Sequence, residues 1–123
     1  MYIKDIKDYD KFSGEADLIV SDGKYEILCY CFPIETCVKD LKVQSLLSLF
    51  ADNIFKVKSR KYIILKLQEH FSYHLQGKVC NIKEPKINIG GLELTLDKAF
   101  PGDIKLNDFI EFDVSRIDCI LNK

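Results

Sequence analysis

Apolar and polar residues alternate along much of the chain, which is the period of a β-strand with one buried face. Two alternating runs meet at Asp22-Gly23, and two others meet at Gly90-Gly91. The glycines in these dipeptides supply the positive φ that a tight hairpin turn requires. The pattern therefore predicts one β-hairpin over residues 18–32 and a second over residues 87–96.

Three further strands are predicted from the same alternation, over residues 61–68, 71–79 and 110–121. In the last of them the apolar phase shifts by one residue at Ser115-Arg116, which predicts a β-bulge or a sharp bend. Residues 40–55 are ambiguous, because the spacing of their apolar residues suits a helix and a strand equally.

An internal similarity resolves the ambiguous segment. Residues 40–49 match 103–112 without a gap, and each segment follows a Phe-Pro pair that lies nine residues after a glycine turn. We interpret this as a duplicated three-strand unit, at about 15–57 and 80–121, with 58–79 as a linking pair of strands. The alternative is chance similarity between two hairpins of like composition. Under duplication the ambiguous segment is a strand, because its counterpart alternates as a strand does.

The duplication also predicts which side chains face outward. In the second unit the apolar residues, such as Leu94 and Phe112, should face the core. The matching outward positions of the first unit are mostly apolar, so that unit should have an apolar face that something must cover. The candidate partner-binding residues on this face, beside Ser48, are Tyr25, Ile27, Cys29, Leu46 and Phe50. The alternative cover is the N-terminal segment 1–14, which contains apolar residues of its own.

The second half of the chain resembles OB-fold and related small β-barrel proteins. The resemblance covers about 45 residues: Gly77-Lys78-Val79, a glycine-turned hairpin, and then residues 104–112, with Asn107-Asp108 where Gly-Asp is more usual. It implies a fold that commonly binds oligonucleotides, oligosaccharides or proteins. We expect a single all-β domain over residues 1–123, a compact or partly open barrel of about seven or eight mostly antiparallel strands.

Composition limits the setting in which the protein acts. The 123 residues suit one domain, and a net charge of −1 argues against a surface that is basic throughout and grips nucleic acid or anionic lipid. The five cysteines are odd in number and form no CxxC pair, which favours a reducing compartment. The N-terminus does not read as a signal peptide, and no apolar run reaches membrane-spanning length. We therefore expect a cytoplasmic protein with no membrane partner.

Catalytic chemistry has little support in the sequence. His70 and His74 could share one face of a strand, but they lack the glutamate and cysteine spacing of common metal motifs. Cys37, in a predicted loop with Glu35 and Lys39, is the cysteine predicted to be most exposed. A cysteine nucleophile also needs a base and a site that lowers its pKa. The carboxylates between residues 97 and 113 read as a solvated face. We expect no enzyme activity, no catalytic residue, no metal and no cofactor.

The function predicted from the sequence is a non-enzymatic cytosolic protein-binding module, of the adaptor or toxin-neutralising type. It would use the apolar face of the first unit for a protein partner or for self-association. The alternative is binding of single-stranded nucleic acid or an oligosaccharide through a basic segment with an internal aromatic residue. The side chains of that segment are Lys56, Lys58, Arg60, Lys61, Tyr62 and Lys66.

Overall fold

The computed structural model describes residues 1–34 and 39–121. Within these ranges the chain is all-β, as predicted, and has no helix. Its eleven strands are β1 (Tyr2–Asp10), β2 (Glu15–Ser21), β3 (Glu26–Cys31), β4 (Val43–Leu49), β5 (Asp52–Val57), β6 (Ile63–Lys66), β7 (Tyr73–Asn81), β8 (Lys86–Ile89), β9 (Leu92–Leu96), β10 (Phe109–Val114) and β11 (Arg116–Leu121).

All eleven strands belong to one sheet, in the order β1-β2-β3-β11-β4-β9-β8-β7-β10-β5, and β6 pairs with β7 beside this path. The strand pairings are antiparallel except for β3–β11 and β4–β9, which are parallel. The end strands β1 and β5 do not pair with each other, so the sheet stays open. Of the two predicted forms, a compact or a partly open barrel, the open sheet contradicts the closed one. The predicted count of seven or eight strands is also too low.

The strand count rises for two reasons. The N-terminal segment is itself a strand, β1, and two long segments are each divided into two strands by a bend. One bend lies at Phe50 and Ala51, between β4 and β5, and the other lies at Ser115, between β10 and β11. The second bend confirms the predicted break in the strand. Because β10 and β11 are halves of one segment, the sheet path passes twice through residues 109–121. The OB-like character and the duplication stay predictions.

Both predicted hairpins form. Residues 22–25 join β2 to β3, and Gly90-Gly91 joins β8 to β9. Gly23 has φ 103° and Gly90 has φ 60°, the left-handed backbone that a residue with a side chain rarely adopts. The linking pair of strands also forms, as β6 against β7. The segment 40–55 contains β4 and most of β5, so it is a strand region interrupted by one bend, as the internal similarity predicts.

The predicted outward face of the first unit is wrong on β3. Ile27 and Cys29 are completely buried. The register explains why, since Val20 lies opposite Ile27 and Leu18 lies opposite Cys29 in the β2–β3 pair. Residues directly opposite each other in an antiparallel pair project to the same face of the sheet. Because Leu18 and Val20 of β2 face the core, Cys29 and Ile27 opposite them also face the core.

The same correction applies on β4, where Leu46 and Ser48 are completely buried. They lie opposite Cys119 and Ile117 of β11, whose side chains are in the core. In the second unit the predicted facing is confirmed: Leu94, Leu96, Ile110, Phe112 and Val114 are all buried. The similarity between residues 40–49 and 103–112 therefore predicts strands correctly but places the first copy one residue out of phase.

The N-terminal segment extends the sheet. β1 pairs with β2 over its whole length, and Ile3 is completely buried. Two register shifts, between Ile3 and Asp5 and between Ile6 and Asp8, interrupt the pairing. These irregularities break the period of two that marks a strand in the sequence, which is why the alternation does not reveal β1.

Candidate protein-binding surface

Two of the five predicted partner-binding residues reach the surface. Phe50 is 70% exposed, and Tyr25 is half-buried against the ring of Tyr62, with the ring centroids 5.8 Å apart. Ile27, Cys29 and Leu46 lie in the core, so they form no surface in this fold. Of the five predicted residues, Phe50 is therefore the one whose side chain is available to contact a partner.

Phe50 is held in an unusual conformation at the bend between β4 and β5. Its φ is 57°, in the left-handed region that bulky residues seldom occupy. The Asp97 carboxylate stabilises this bend, because Oδ2 accepts a hydrogen bond from the Phe50 N–H at 2.8 Å and Oδ1 accepts one from the Ala51 N–H at 3.2 Å. The result is an aromatic ring that projects into solvent from a fixed backbone.

A second exposed aromatic ring follows on β5. Phe55 is 59% exposed, and it lies opposite Glu111 of β10. Among the described residues β5 pairs only with β10, so its other edge presents unpaired backbone N–H and C=O groups. Phe50, Phe55 and this free backbone edge form what we call the β5 edge surface. No pattern in the sequence marks Phe55, because only the position of β5 at the end of the sheet makes that side chain exposed.

A cleft adjoins the β5 edge surface. Its volume is about 300 Å³, and its lining comes from the start of β5 and from the loop after β9. Ile54 and Phe100 give the lining apolar surface, and Asp52 and Lys98 give it charges of both signs. The lining residues are Asp52, Asn53, Ile54, Lys98, Ala99, Phe100 and Pro101.

A polar network holds the start of β5 in place. Asn53, which has φ 53°, donates a hydrogen bond from Nδ2 to Asp113 Oδ2 at 3.0 Å, and His74 Nδ1 lies 2.6 Å from Asp113 Oδ1. The hydrogen bonds from Asn53 and from His74 lower the pKa of Asp113 below its ordinary value. The remaining nitrogen of His74, Nε2, lies 3.4 Å from Glu111 Oε2. Both ring nitrogens thus face carboxylates, and Asp113 links His74 of β7 to Asn53 at the start of β5.

The histidine and cysteine side chains considered for metal binding or catalysis do not come together in one site. His70 lies against Asp17, with 2.8 Å between Nε2 and Oδ2, and so does not join His74. Within residues 1–34 and 39–121, no group of three or more His, Cys, Asp and Glu side chains is placed to hold a metal ion. Cys37 lies outside the described residues.

The basic segment is largely engaged within the protein. Lys56 forms an ion pair with Asp108 at 3.3 Å, and the Arg60 guanidinium lies 4.7 Å from the ring centroid of Phe109. Tyr62 packs on Phe109 as well as on Tyr25, so its ring is already in contact with two others.

Of the three remaining lysines of the basic segment, one is engaged within the protein and two are exposed. Lys66 donates to the backbone carbonyl of Leu67 at 2.9 Å, whereas Lys58 and Lys61 are exposed. The structure does not bring the six residues together as an open groove with a free stacking ring. Nucleic-acid or oligosaccharide binding by this segment stays a prediction.

Comparison with protein-family models, with curated proteins and with solved structures finds no match for this chain. In the part of the chain that the structure describes, no helix is long and apolar enough to cross a membrane.

Proposed function

We propose that this chain is a non-enzymatic protein-binding module that docks an extended protein segment on the β5 edge surface. The observation that supports this is the pair of exposed aromatic rings, Phe50 and Phe55, beside a backbone edge that pairs with no other described strand. An edge strand binds an added strand through its main-chain groups, and aromatic side chains commonly supply most of the binding energy at protein interfaces.

The opposite end of the sheet is less suited to this role. The β1 edge is interrupted by two register shifts, and its first residues are already bridged to the segment before β4. The Ile3 N–H donates to the Leu41 carbonyl at 2.9 Å, and the Val43 N–H donates to the Met1 carbonyl at 3.1 Å. Bulges and coverage are the usual ways in which an edge strand is protected from further pairing. β5 has one register shift of its own, between Phe55 and Asp52, but among the described residues no backbone hydrogen bond from a neighbouring segment bridges its outer edge. Of the two ends of the sheet path, β5 is therefore the less covered.

The charges along β5 favour a second copy of the chain as the occupant. An antiparallel pair of β5 strands centred on Phe55 would place Phe55 opposite its own equivalent. β5 has one residue more than β10 between Phe55 and Asp52, so Asp52 would come level with Val57 of the second copy, next to its Lys58, twice by symmetry. Within the described residues neither Asp52 nor Lys58 forms an ion pair. Opposite charges that lie close together across an antiparallel pair are stabilising.

The solution mass, measured by light scattering over a wide range of protein concentrations, tests the proposal. We expect a concentration-dependent dimer that is weakened about tenfold or more by Phe55→Ser, since a buried interface aromatic often contributes over 1.4 kcal/mol. Phe12→Ser is the matched control, because Phe12 is 92% exposed in the turn between β1 and β2. Asp52→Lys should weaken the dimer, and the double variant with Lys58→Asp should restore it.

The possible outcomes distinguish two questions: whether a second copy occupies the β5 edge surface, and whether that surface binds a protein at all. A dimer that Phe55→Ser leaves unchanged would contradict the use of the β5 edge. If the protein is a monomer at every concentration, a second copy is not the occupant. Capture from a cell extract of the source organism then compares the native chain with Phe55→Ser and Phe12→Ser. A protein lost only with Phe55→Ser supports the module, and identical capture by all three overturns it.

A further inference from the structure

Two cysteines lie opposite each other at the junction between β3 and β11. This parallel pairing places Tyr30 opposite Asp118. Extending the same register by one residue brings Cys31 level with Cys119, whose side chain hydrogen-bonds it. Both side chains are in the core, with 4% and 5% of their surface exposed. Adjacent strands are about 4.8 Å apart, a backbone separation that lies within the range bridged by disulfides.

The two thiols are already in contact. A hydrogen bond from Cys119 lowers the pKa of the Cys31 thiol, although burial acts in the opposite direction. Cys29, two residues earlier on the same strand, differs: its burial raises its pKa well above the ordinary value. Because the thiolate is the reactive form, Cys31 is the better nucleophile of the two cysteines on β3.

We propose that Cys31 and Cys119 are a redox modification site, which a hydroperoxide converts to a disulfide between β3 and β11. In the first step the Cys31 thiolate attacks one peroxide oxygen and breaks the O–O bond, which forms a sulfenic acid and releases hydroxide. In the second step the Cys119 sulfur attacks the Cys31 sulfur and expels the sulfenic oxygen as water. With hydrogen peroxide the sum is two thiols and one peroxide giving one disulfide and two waters.

The disulfide would fasten a junction that has few main-chain links. The register at β3–β11 consists of the single pair Tyr30 and Asp118, whereas β2 and β3 pair at six positions. Together with the bridge between Tyr2 and Lys42, this junction connects β1, β2 and β3 to the rest of the sheet. Local opening at such a weakly paired junction gives peroxide access to the otherwise buried thiols. The bond would close a loop of about 90 residues, a length at which cross-linking strongly restricts the unfolded chain.

The experiment treats the native protein with hydrogen peroxide without denaturant, blocks the remaining thiols, digests it, and maps the linked peptides by mass spectrometry. We expect a cross-link between the peptides that contain Cys31 and Cys119, which dithiothreitol removes. The oxidised protein should melt at least about 5 °C higher than the reduced protein. Cys80→Ser is the matched control, since Cys80 is half-buried on β7 and bonded to Asn88, and it should preserve both effects.

Cys31→Ser and Cys119→Ser should each abolish the linked peptide and the rise in melting temperature. Because either substitution could destabilise the core, the peptide map of the unsubstituted protein decides the matter. The proposal is overturned if the link appears only in urea, if peroxide joins other cysteine pairs instead, or if the oxidised protein melts no higher than the reduced one.

Discussion

Asp22 joins the two hairpin turns, and its removal should have a measurable cost. Oδ1 accepts hydrogen bonds from the backbone N–H groups of Lys24 at 2.8 Å and Tyr25 at 2.7 Å, and Oδ2 accepts one from Gly91 at 2.6 Å. The first two close the β2–β3 turn, and the third reaches the β8–β9 turn, which lies 69 residues away in sequence. A single carboxylate thus fixes the relative position of two hairpins.

The size of the effect follows from those three bonds. A hydrogen bond contributes about 0.5–1.5 kcal/mol net, and these donors can be rehydrated at the surface. Asp22→Ala, which removes all three, should therefore cost about 2–3 kcal/mol. Asp22→Asn keeps one side-chain oxygen for the β2–β3 turn and loses the acceptor for Gly91, so it should cost about 1 kcal/mol.

The pH dependence provides a second test of the same carboxylate. Burial raises the pKa of Asp22, but the N–H groups of Tyr25, Lys24 and Gly91 lower it by more, so that it lies below its ordinary value. A carboxylate with a depressed pKa in the folded state stabilises the protein at pH values above its unfolded pKa, which is about 3.9. That contribution is lost as the pH falls through the folded pKa. The difference between the native protein and Asp22→Asn should accordingly shrink below about pH 4.

Urea unfolding followed by circular dichroism at pH 7 and near pH 3 measures both quantities. Asp103→Asn, at an exposed turn position, controls for the loss of a carboxylate in general. The reasoning is refuted if Asp22→Ala costs less than about 0.5 kcal/mol, the usual range for a surface substitution. It is also refuted if the cost of Asp22→Asn is the same at both pH values.

Two further substitutions test the packing of the sheet, each by the midpoint of urea unfolding. Gly77→Ala should lower the free energy of unfolding by about 1–3 kcal/mol, because a Cβ there would lie 2.5 Å from the Asn88 carbonyl oxygen. Gly102→Ala is the control and should be neutral, since its Cβ would meet nothing within 4 Å. Equal costs for the two variants would contradict the close approach at Gly77. Leu96→Ala should cost about 2–5 kcal/mol as a truncation of a side chain that is 3% exposed, whereas Leu106→Ala, at 55%, should cost little. A negligible loss with Leu96→Ala would mean that the second hairpin does not face the core.

Local signals were sufficient for the hairpins. At Gly90-Gly91 the turn chemistry and the alternation on both sides act within ten residues, so the sequence predicts β8, β9 and their inward faces correctly. The bend at Ser115 is likewise visible as a one-residue phase shift. These features are properties of neighbouring residues, and no distant partner is needed to define them.

Features that depend on distant partners could not be predicted in the same way. Leu46 faces inward because it is paired with Cys119, and no pattern near residue 46 contains that information. Phe50 was predicted to be exposed, but its left-handed backbone depends on a carboxylate 47 residues later in the chain, Asp97. The candidate surface rests on β5 being the last strand of the sheet, a fact of topology that alternation does not encode.

The position of β11 has a consequence for how the protein is made. Among the strands that the structure describes, β11 comes last in sequence, yet it lies between β3 and β4 in the sheet. A ribosome releases residues 116–121 after the ten strands that precede them, so β3 and β4 each have an unpaired edge throughout that interval. Pairings between such distant segments form slowly, and exposed edges are prone to associate with other chains. The nascent protein should therefore be at high risk of aggregation just before β11 emerges.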